Sequence, residues 1–188
     1  MSDPSAPPEG LDTPAAVTAF LESLDADFSD PELNRTPERV TQLWRDNLLS
    51  GHRLDPREAL GKPLDAEGEG VITLTGIPFH GMCPHHLLPY FGVAHVAYDP
   101  RKAIVGIGSL EHMVNACSRR MILQETLTKM VVDTLMTHLD AAGAACAIEA
   151  THLCMILQGR EPRSARVHTR QAAGSLQGRH DILPPVTA

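Results

Sequence analysis

The chain has 188 residues and a formal net charge of −7, with 43% apolar and 21% charged residues, a balance that fits one globular domain with an extension. The negative charge disfavours nucleic-acid binding through a basic face, because neutralising phosphates requires clustered Lys and Arg side chains. Since no apolar run approaches the roughly 18 residues of a membrane span and the N-terminus lacks a signal-peptide pattern, we expect a cytoplasmic protein without nucleic-acid or membrane partners.

Two helix-start signals mark the N-terminal part of the chain. A Thr-Pro pair at Thr13 predicts an N-cap followed by proline in the first turn, with the helix running to about Asp25. A second Thr-Pro pair at Thr36 opens an apolar pattern at helical spacing that Gly51 ends. The predicted organisation is a disordered arm over residues 1–11, an N-terminal helical region over residues 12–51 and a larger domain over residues 52–188.

The apolar pattern then changes from helical spacing to that of strands and back again. Short β-branched runs with turn residues between them predict strands, and apolar residues repeating every four positions predict a long helix. Strands followed by helices in this order favour an α+β domain with an antiparallel sheet. The predicted segments are strands over 71–75, 86–98, 103–105 and 145–151, and helices over 110–119 and 124–142.

The strongest chemical signal lies in two short segments, CPHH and HLC. Cys83 and His86 stand three positions apart, so that one turn can offer both to a single zinc ion. His152 and Cys154 are two apart at the end of a predicted strand, where alternate residues share a face. We propose Cys83, His86 and Cys154 as zinc ligands with an open position for water. His85 and His152 are then available to move protons.

A structural site is the alternative that spacing leaves open. Cys83, His86, His152 and Cys154 can also form a closed Cys₂His₂ shell without catalytic function. The additional histidine, His85, favours catalysis because a structural site does not need it.

Four blocks of sequence together resemble the GTP cyclohydrolase I family: CPHHLLPYFGVAHVAYDP, IVG, LQETLTKM and EATHLCM. Their order and spacing agree with the family without large gaps from about Thr36 to Gly174. The resemblance implies a tunnelling fold over residues 52–188, an antiparallel sheet with helices on one face that assembles into a toroidal homo-oligomer, commonly a decamer. It also implies a purine as small-molecule partner and active sites between subunits.

The resemblance assigns roles to individual residues. The two catalytic histidines of the family correspond to His85 and His152, in agreement with the roles proposed from spacing. The zinc ligands of the family correspond to Cys83, His86 and Cys154. Its purine-holding pair corresponds to Gln124 and Glu125. The arginine that reaches the triphosphate of a neighbouring subunit corresponds to Arg39.

The phosphate site departs from the family. Where the family has Ser-Lys, an Arg three residues beyond that Lys and an Arg four residues after the last zinc-binding Cys, this chain has Gly108, Ser109, His112 and Gln158. Charge-assisted hydrogen bonds contribute about 1.5–3 kcal/mol each. The substitutions therefore predict much weaker triphosphate binding, unless Arg160 or Arg163 supplies a replacement cation from a shifted position.

These departures lead to three functional interpretations. The first is a zinc-dependent hydrolase of cyclic amidine or amide C–N bonds, which opens the imidazole ring by zinc-hydroxide attack at C8 of a purine without a triphosphate, an 8-oxopurine such as 8-oxoguanine or urate. The alternative is a GTP cyclohydrolase I that converts GTP to 7,8-dihydroneopterin triphosphate and formate. A third is a non-catalytic oligomer with structural zinc, against which the presence of His85, Gln124 and Glu125 argues.

Overall fold

The structure is a computed structural model that describes residues 12–66, 70–158 and 164–184. The disordered arm predicted for residues 1–11 lies outside these ranges. No helix within the described ranges is long and apolar enough to cross a membrane.

The chain divides into two compact units, Met1–Asn47 and Leu48–Ala188. The helices are α1 (Thr13–Glu22), α2 (Thr36–Leu43), α3 (Pro56–Ala59), α4 (Ile107–Ser118), α5 (Gln124–His138) and α6 (Leu153–Leu157), with a π-helical turn over Trp44–Leu48 and a 3-10 turn over Ser50–Arg53. The strands are β1 (Leu64–Asp65), β2 (Ile72–Met82), β3 (Pro89–Asp99), β4 (Ala103–Ile104), β5 (Gly143–His152) and β6 (Val167–Gly174).

The first unit contains α1 and α2. The N-cap of α1 is Asp12 rather than the predicted Thr13: the Asp12 carboxylate accepts a hydrogen bond from the Ala15 N–H at 2.8 Å. Both residue types cap helices, and Pro14 fits the first turn in either register because the N–H it lacks has no partner there. The helix also ends earlier than predicted, at Glu22.

The second unit is built on a four-stranded antiparallel sheet in the order β2-β3-β5-β6. Side chains on one face of β3 and β5, including Val96 and Ile148, pack with α4 and α5 into the main core, where Met113 and Leu135 are fully buried. On the other face, Leu176 and Leu183 cover small side chains of the sheet, Ala97, Ala145 and Ala147. The predicted α+β class with an antiparallel sheet is confirmed.

One predicted strand begins later than expected, and another has a partner that the sequence did not identify. The strand predicted to begin at His86 begins at Pro89, because the residues before it form a turn stabilised by their own backbone hydrogen bonds. The short strand after the turn at residues 100–102 pairs with β1 rather than with the main sheet, in the register Leu64↔Ile104. Local pattern locates a strand but does not identify its partner.

The close approach of β3 to β5 depends on a glycine. A Cβ at Gly92 would lie 1.9 Å from the Glu149 carbonyl oxygen, so that any side chain there forces two paired strands apart. We expect Gly92→Ala to lower the free energy of unfolding by about 3 kcal/mol. Urea denaturation at fixed protein concentration measures this change.

Gly108→Ala serves as the control, because beyond its chain neighbours and the backbone of α4 no atom of the described residues lies within 4 Å of its Cβ position. The free energy of unfolding of this variant should rise by about 0.5–1 kcal/mol, since alanine is less flexible than glycine in the unfolded chain. Equal stability of Gly92→Ala and the wild type would contradict the packing argument.

Candidate active site

The turn between β2 and β3, residues 83–88, carries the first two predicted metal ligands. We call it the metal turn. The Leu87 N–H donates to the Cys83 carbonyl and the Cys83 N–H donates to the Leu88 carbonyl, both at 2.9 Å. Leu87 has a φ of 53°, a left-handed conformation that costs a residue with a side chain about 1–2 kcal/mol. The turn is thus held by the surrounding structure against its local preference.

The end of β2 also fixes the start of α5. The Met82 N–H donates to the Arg120 carbonyl at 3.0 Å, and the Ile122 N–H donates to the Met82 carbonyl at 3.1 Å. These bonds join the residue before Cys83 to the segment that leads into Gln124 and Glu125. These two hydrogen bonds therefore link the backbone at the start of the metal turn to the segment that precedes α5.

Cys83, His86 and Cys154 are brought together as predicted. Their ligand atoms all lie within 4.8 Å of one another, and Cys83 Sγ is 3.7 Å from His86 Nδ1. A tetrahedral zinc ion with usual bond lengths holds a sulfur and a nitrogen ligand about 3.6 Å apart. The two thiols are buried while His86 is exposed. The three side chains can hold one metal ion, and their sulfur and imidazole donors suit zinc.

Burial, and secondly the neighbouring Cys83 thiol, raises the pKa of Cys154. A bound dication would oppose this shift, because it would attract the Cys154 thiolate.

Cys154 reaches the cluster from a helix and not from a strand. β5 ends at His152, and Leu153 begins the short helix α6, which places Cys154 in its first turn. The shared strand face assumed for His152 and Cys154 is therefore wrong, although both side chains line the same cavity.

His152 lies between two groups that fix its ring. It is the register partner of Tyr90 on β3, and the two rings stack with centroids 4.6 Å apart and an interplanar angle of 6°. Its Nε2 atom lies 2.7 Å from Gln124 Oε1. Burial lowers the pKa of His152, and the Glu125 carboxylate opposes this shift.

Tyr90 is itself held in place. Its hydroxyl donates to the Ile122 carbonyl at 3.0 Å, and burial raises the pKa of this hydroxyl, which keeps it protonated. A Cβ on Gly81, opposite it in β2, would lie 2.4 Å from the Tyr90 ring. Glycine at that position leaves the space in which the ring lies beneath His152.

One cavity of about 240 Å³ joins these groups. Its walls include the three metal-binding side chains, both non-ligating histidines, Gln124 and Glu125. The side chain of Gln124 is only 1% exposed, whereas Glu125 is exposed. The cavity combines three side chains that could hold a metal ion, two further imidazoles and an exposed carboxylate.

The predicted phosphate-site residues lie elsewhere. Gly108, Ser109 and His112 are on the first turns of α4, and Gln158 follows α6; none of them is among the described residues that line the cavity. Arg39 is exposed on α2, in the first unit. Arg160 and Arg163, considered as replacement cations, lie outside the described residues.

The family model for GTP cyclohydrolase I matches residues 13–183 of this chain. The chain belongs to the GTP cyclohydrolase I family. Proteins named GTP cyclohydrolase 1 are similar to it: that of Ralstonia nicotianae is 38% identical over 172 residues, covering 89% of this chain and 82% of the relative. That of Chromobacterium violaceum is 42% identical over 162 residues, covering 86% and 79%. Among solved structures, the archaeosine synthase QueF-Like in the apo form covers 58% of this chain and 97% of its own, with a TM-score of 0.43 and 16% identity, too little to carry an argument.

The preference for an 8-oxopurine substrate is wrong. GTP cyclohydrolase I relatives match along most of the chain, which supports the GTP alternative. The sequence argument gave too much weight to the phosphate-site substitutions. Those positions lie outside the cavity that holds the candidate reactive groups.

Sequence reasoning missed Tyr90, Thr128 and Thr169. Tyr90 stacks on His152, and the two threonines contact Gln124. A signal existed for Thr128, because residues four apart on a helix share a face. No signal existed for Thr169, which comes from another strand.

The cluster predicts one divalent metal ion per chain. Cys154→Ser should lose most of the bound metal, because it removes a thiolate ligand. Cys146→Ala is the matched control, since this cysteine is fully buried in β5 away from the cluster. Metal analysis after dialysis and the thiolate charge-transfer band of the cobalt-substituted protein measure the outcome. Equal metal content in both variants would contradict this site.

Proposed function

We propose that this chain is a GTP cyclohydrolase I, which converts GTP and water to 7,8-dihydroneopterin triphosphate and formate. The observation that carries the proposal is the single cavity in which Cys83, His86 and Cys154 converge beside His85, His152 and Glu125. Membership of the family supports it. A structural site would need the ligands but not the adjoining imidazoles and carboxylate.

Glu125 is suited to hold the purine. It is exposed and lines the cavity at the start of α5. A carboxylate accepts hydrogen bonds without donating, and guanine presents two adjacent N–H groups on one edge. Two charge-assisted hydrogen bonds to Glu125 orient the base and select guanine over adenine, which lacks this pair of donors.

Cys83, His86 and Cys154 would hold the zinc ion, which would supply Lewis acidity for activating water at neutral pH. His85 lies in the metal turn beside the ligand His86, with ring centroids 6.2 Å apart, and His152 faces the same cavity. The side chains of His85 and His152 move the protons that are needed to open the five-membered ring of the purine at C8. One of them gives a proton to the departing ring nitrogen, and C8 leaves as formate before the pterin ring closes.

Because this chain lacks the lysine and arginine side chains at the family's phosphate-site positions, other groups have to bind the triphosphate. Gly108 and Ser109 lie in the first turn of α4, where backbone N–H groups favour anions. His112 and Gln158 can donate hydrogen bonds. We propose these four residues as the phosphate site of one subunit, completed by Arg39 of a neighbouring subunit.

We also propose that the chain forms a homo-oligomeric ring of the tunnelling-fold type, in which each active site includes residues of two subunits. The separation of Gly108, Ser109 and His112 from the cavity of the single chain supports this. Arg39→Ala and His152→Asn should each be inactive alone but regain activity when unfolded and refolded together. A mass of 20.4 kDa for the native protein in light scattering, or no regain of activity in mixtures, would contradict it.

The decisive experiment supplies GTP to the zinc-loaded protein. We expect formate and 7,8-dihydroneopterin triphosphate in equal amounts, measured by mass spectrometry. Glu125→Gln should lower kcat/KM about 100-fold, because it replaces a charged acceptor with an amide. Asp133→Asn is the matched control, an exposed carboxylate on the same helix that pairs only with Lys129 among the described residues.

Failure of the wild type to release formate from GTP would overturn the proposed function. Equal activity of Glu125→Gln and Asp133→Asn would leave the reaction standing and remove Glu125 from purine binding.

A further inference from the structure

Gln124 is fully engaged inside the protein. Its side-chain Nε2 lies 3.0 Å from the Val167 carbonyl, 3.3 Å from the Ile148 carbonyl and 3.1 Å from Thr169 Oγ1. Its Oε1 lies 2.7 Å from His152 Nε2. A side chain so placed has little capacity left for a purine edge, although it sits next to Glu125.

A closed ring of hydrogen bonds fixes the orientation of this amide. Thr128 Oγ1 donates to the backbone carbonyl of Gln124 at 2.7 Å, as a threonine on a helix commonly does. Its only proton is then used, so in the 2.6 Å contact between the two threonine hydroxyls Thr169 is the donor. Thr169 in turn can only accept from Gln124. The amide nitrogen of Gln124 must therefore face Thr169 and the two carbonyls, and its oxygen must face His152.

The fixed amide determines where His152 carries its proton. Oε1 of Gln124 can only accept, so the His152 Nε2 atom at 2.7 Å must be an N–H group. In the neutral ring the lone pair then belongs to Nδ1. The Tyr90 ring holds the plane of the imidazole at the same time.

We propose that Gln124 is a positioning residue that holds the His152 ring in its Nε2–H tautomer through the 2.7 Å contact between Gln124 Oε1 and His152 Nε2. This inference rests on the proposed function, in which His152 moves a proton. It gives Gln124 a role different from that of Glu125, although the two are adjacent on α5. Thr128 and Thr169 act through Gln124 and have no contact with substrate.

The kinetic test separates positioning from purine binding. Gln124→Met keeps the length of the side chain and removes both polar atoms. We expect kcat for GTP to fall about 100-fold, as misplacement of a reacting group does, with KM within a factor of about three and zinc content unchanged. Thr128→Val should lower kcat less, because the carbonyls of Ile148 and Val167 still orient the amide.

Thr134→Val is the matched control. This threonine is on the same helix, is 7% exposed and donates to the Met130 carbonyl at 2.7 Å, but it has no part in the ring. Its kcat should equal that of the wild type. A Gln124→Met variant with unchanged kcat and a raised KM would overturn the inference in favour of purine binding.

A spectroscopic test does not depend on activity. In protein labelled with ¹⁵N-histidine, nitrogen NMR distinguishes protonated from unprotonated ring nitrogens, and the His152 signals are those missing from His152→Asn. We expect Nε2 protonated and Nδ1 unprotonated in the wild type, and a mixture of tautomers in Gln124→Met. An Nδ1–H tautomer in the wild type would overturn the inference, even if Gln124→Met did not fold.

The two proposals fail differently. A wild type that does not turn over GTP refutes the proposed function, while the nitrogen spectrum still decides whether Gln124 sets the tautomer. A wild type that turns over GTP, with unchanged kcat and KM in Gln124→Met, refutes the inference alone.

Discussion

The register of three strands brings the candidate site together. Gly81 on β2, Tyr90 on β3 and His152 on β5 form one row across the sheet. At this end of the sheet, β2 leads into the metal turn, β3 leaves it, and β5 leads into α6 with Cys154. A slip of one residue in either pairing would turn the side chains of a strand to the opposite face, which would separate Tyr90 from His152. Secondary structure and site geometry are therefore set by the same hydrogen bonds.

Burial has different consequences on the two sides of the cavity. Next to His152, the Gln124 amide and the Tyr90 hydroxyl are nearly inaccessible to water, and each of their hydrogen bonds is made within the protein. An unsatisfied polar group at such a position costs about 1–3 kcal/mol, so this wall is rigid. Glu125 and His85 are exposed and keep their polar atoms available. The cavity thus pairs a fixed wall with an accessible one, as binding and then reacting with a small polar molecule requires.

Much of this arrangement was predictable from the sequence, because the signals are local. Cys83 and His86 share one turn, and the apolar stripe of α5 follows a period that a single sequence displays. The N-cap of α1 was misplaced by one residue, since Asp12 and Thr13 have similar capping preferences. The role of Gln124 could not be predicted, because it depends on Thr169 and on carbonyls from β5 and β6. Such contacts exist only after the strands have paired, and no spacing in the sequence encodes them.

Whole-chain similarity and individual substitutions answered different questions about function. The substitutions at Gly108, Ser109, His112 and Gln158 led to a wrong substrate when they were given the greater weight, because they lie outside the cavity that holds the candidate reactive groups. The cavity itself is lined by Cys83, His86 and Cys154 together with His85, His152 and Glu125, the groups on which the proposed reaction depends. Residues at a remote subsite can change affinity without changing which bond is broken.

The backbone of Leu87 has a consequence for any attempt to isolate the metal centre. Its left-handed φ of 53° is a conformation that a short peptide with the sequence CPHHLL would rarely adopt, because local energetics disfavour it. In the folded chain, two strands and the segment before α5 impose that conformation. A synthetic hexapeptide should therefore chelate metal weakly and without defined geometry, so the coordination chemistry of this chain belongs to its sheet and cannot be transplanted as a linear tag.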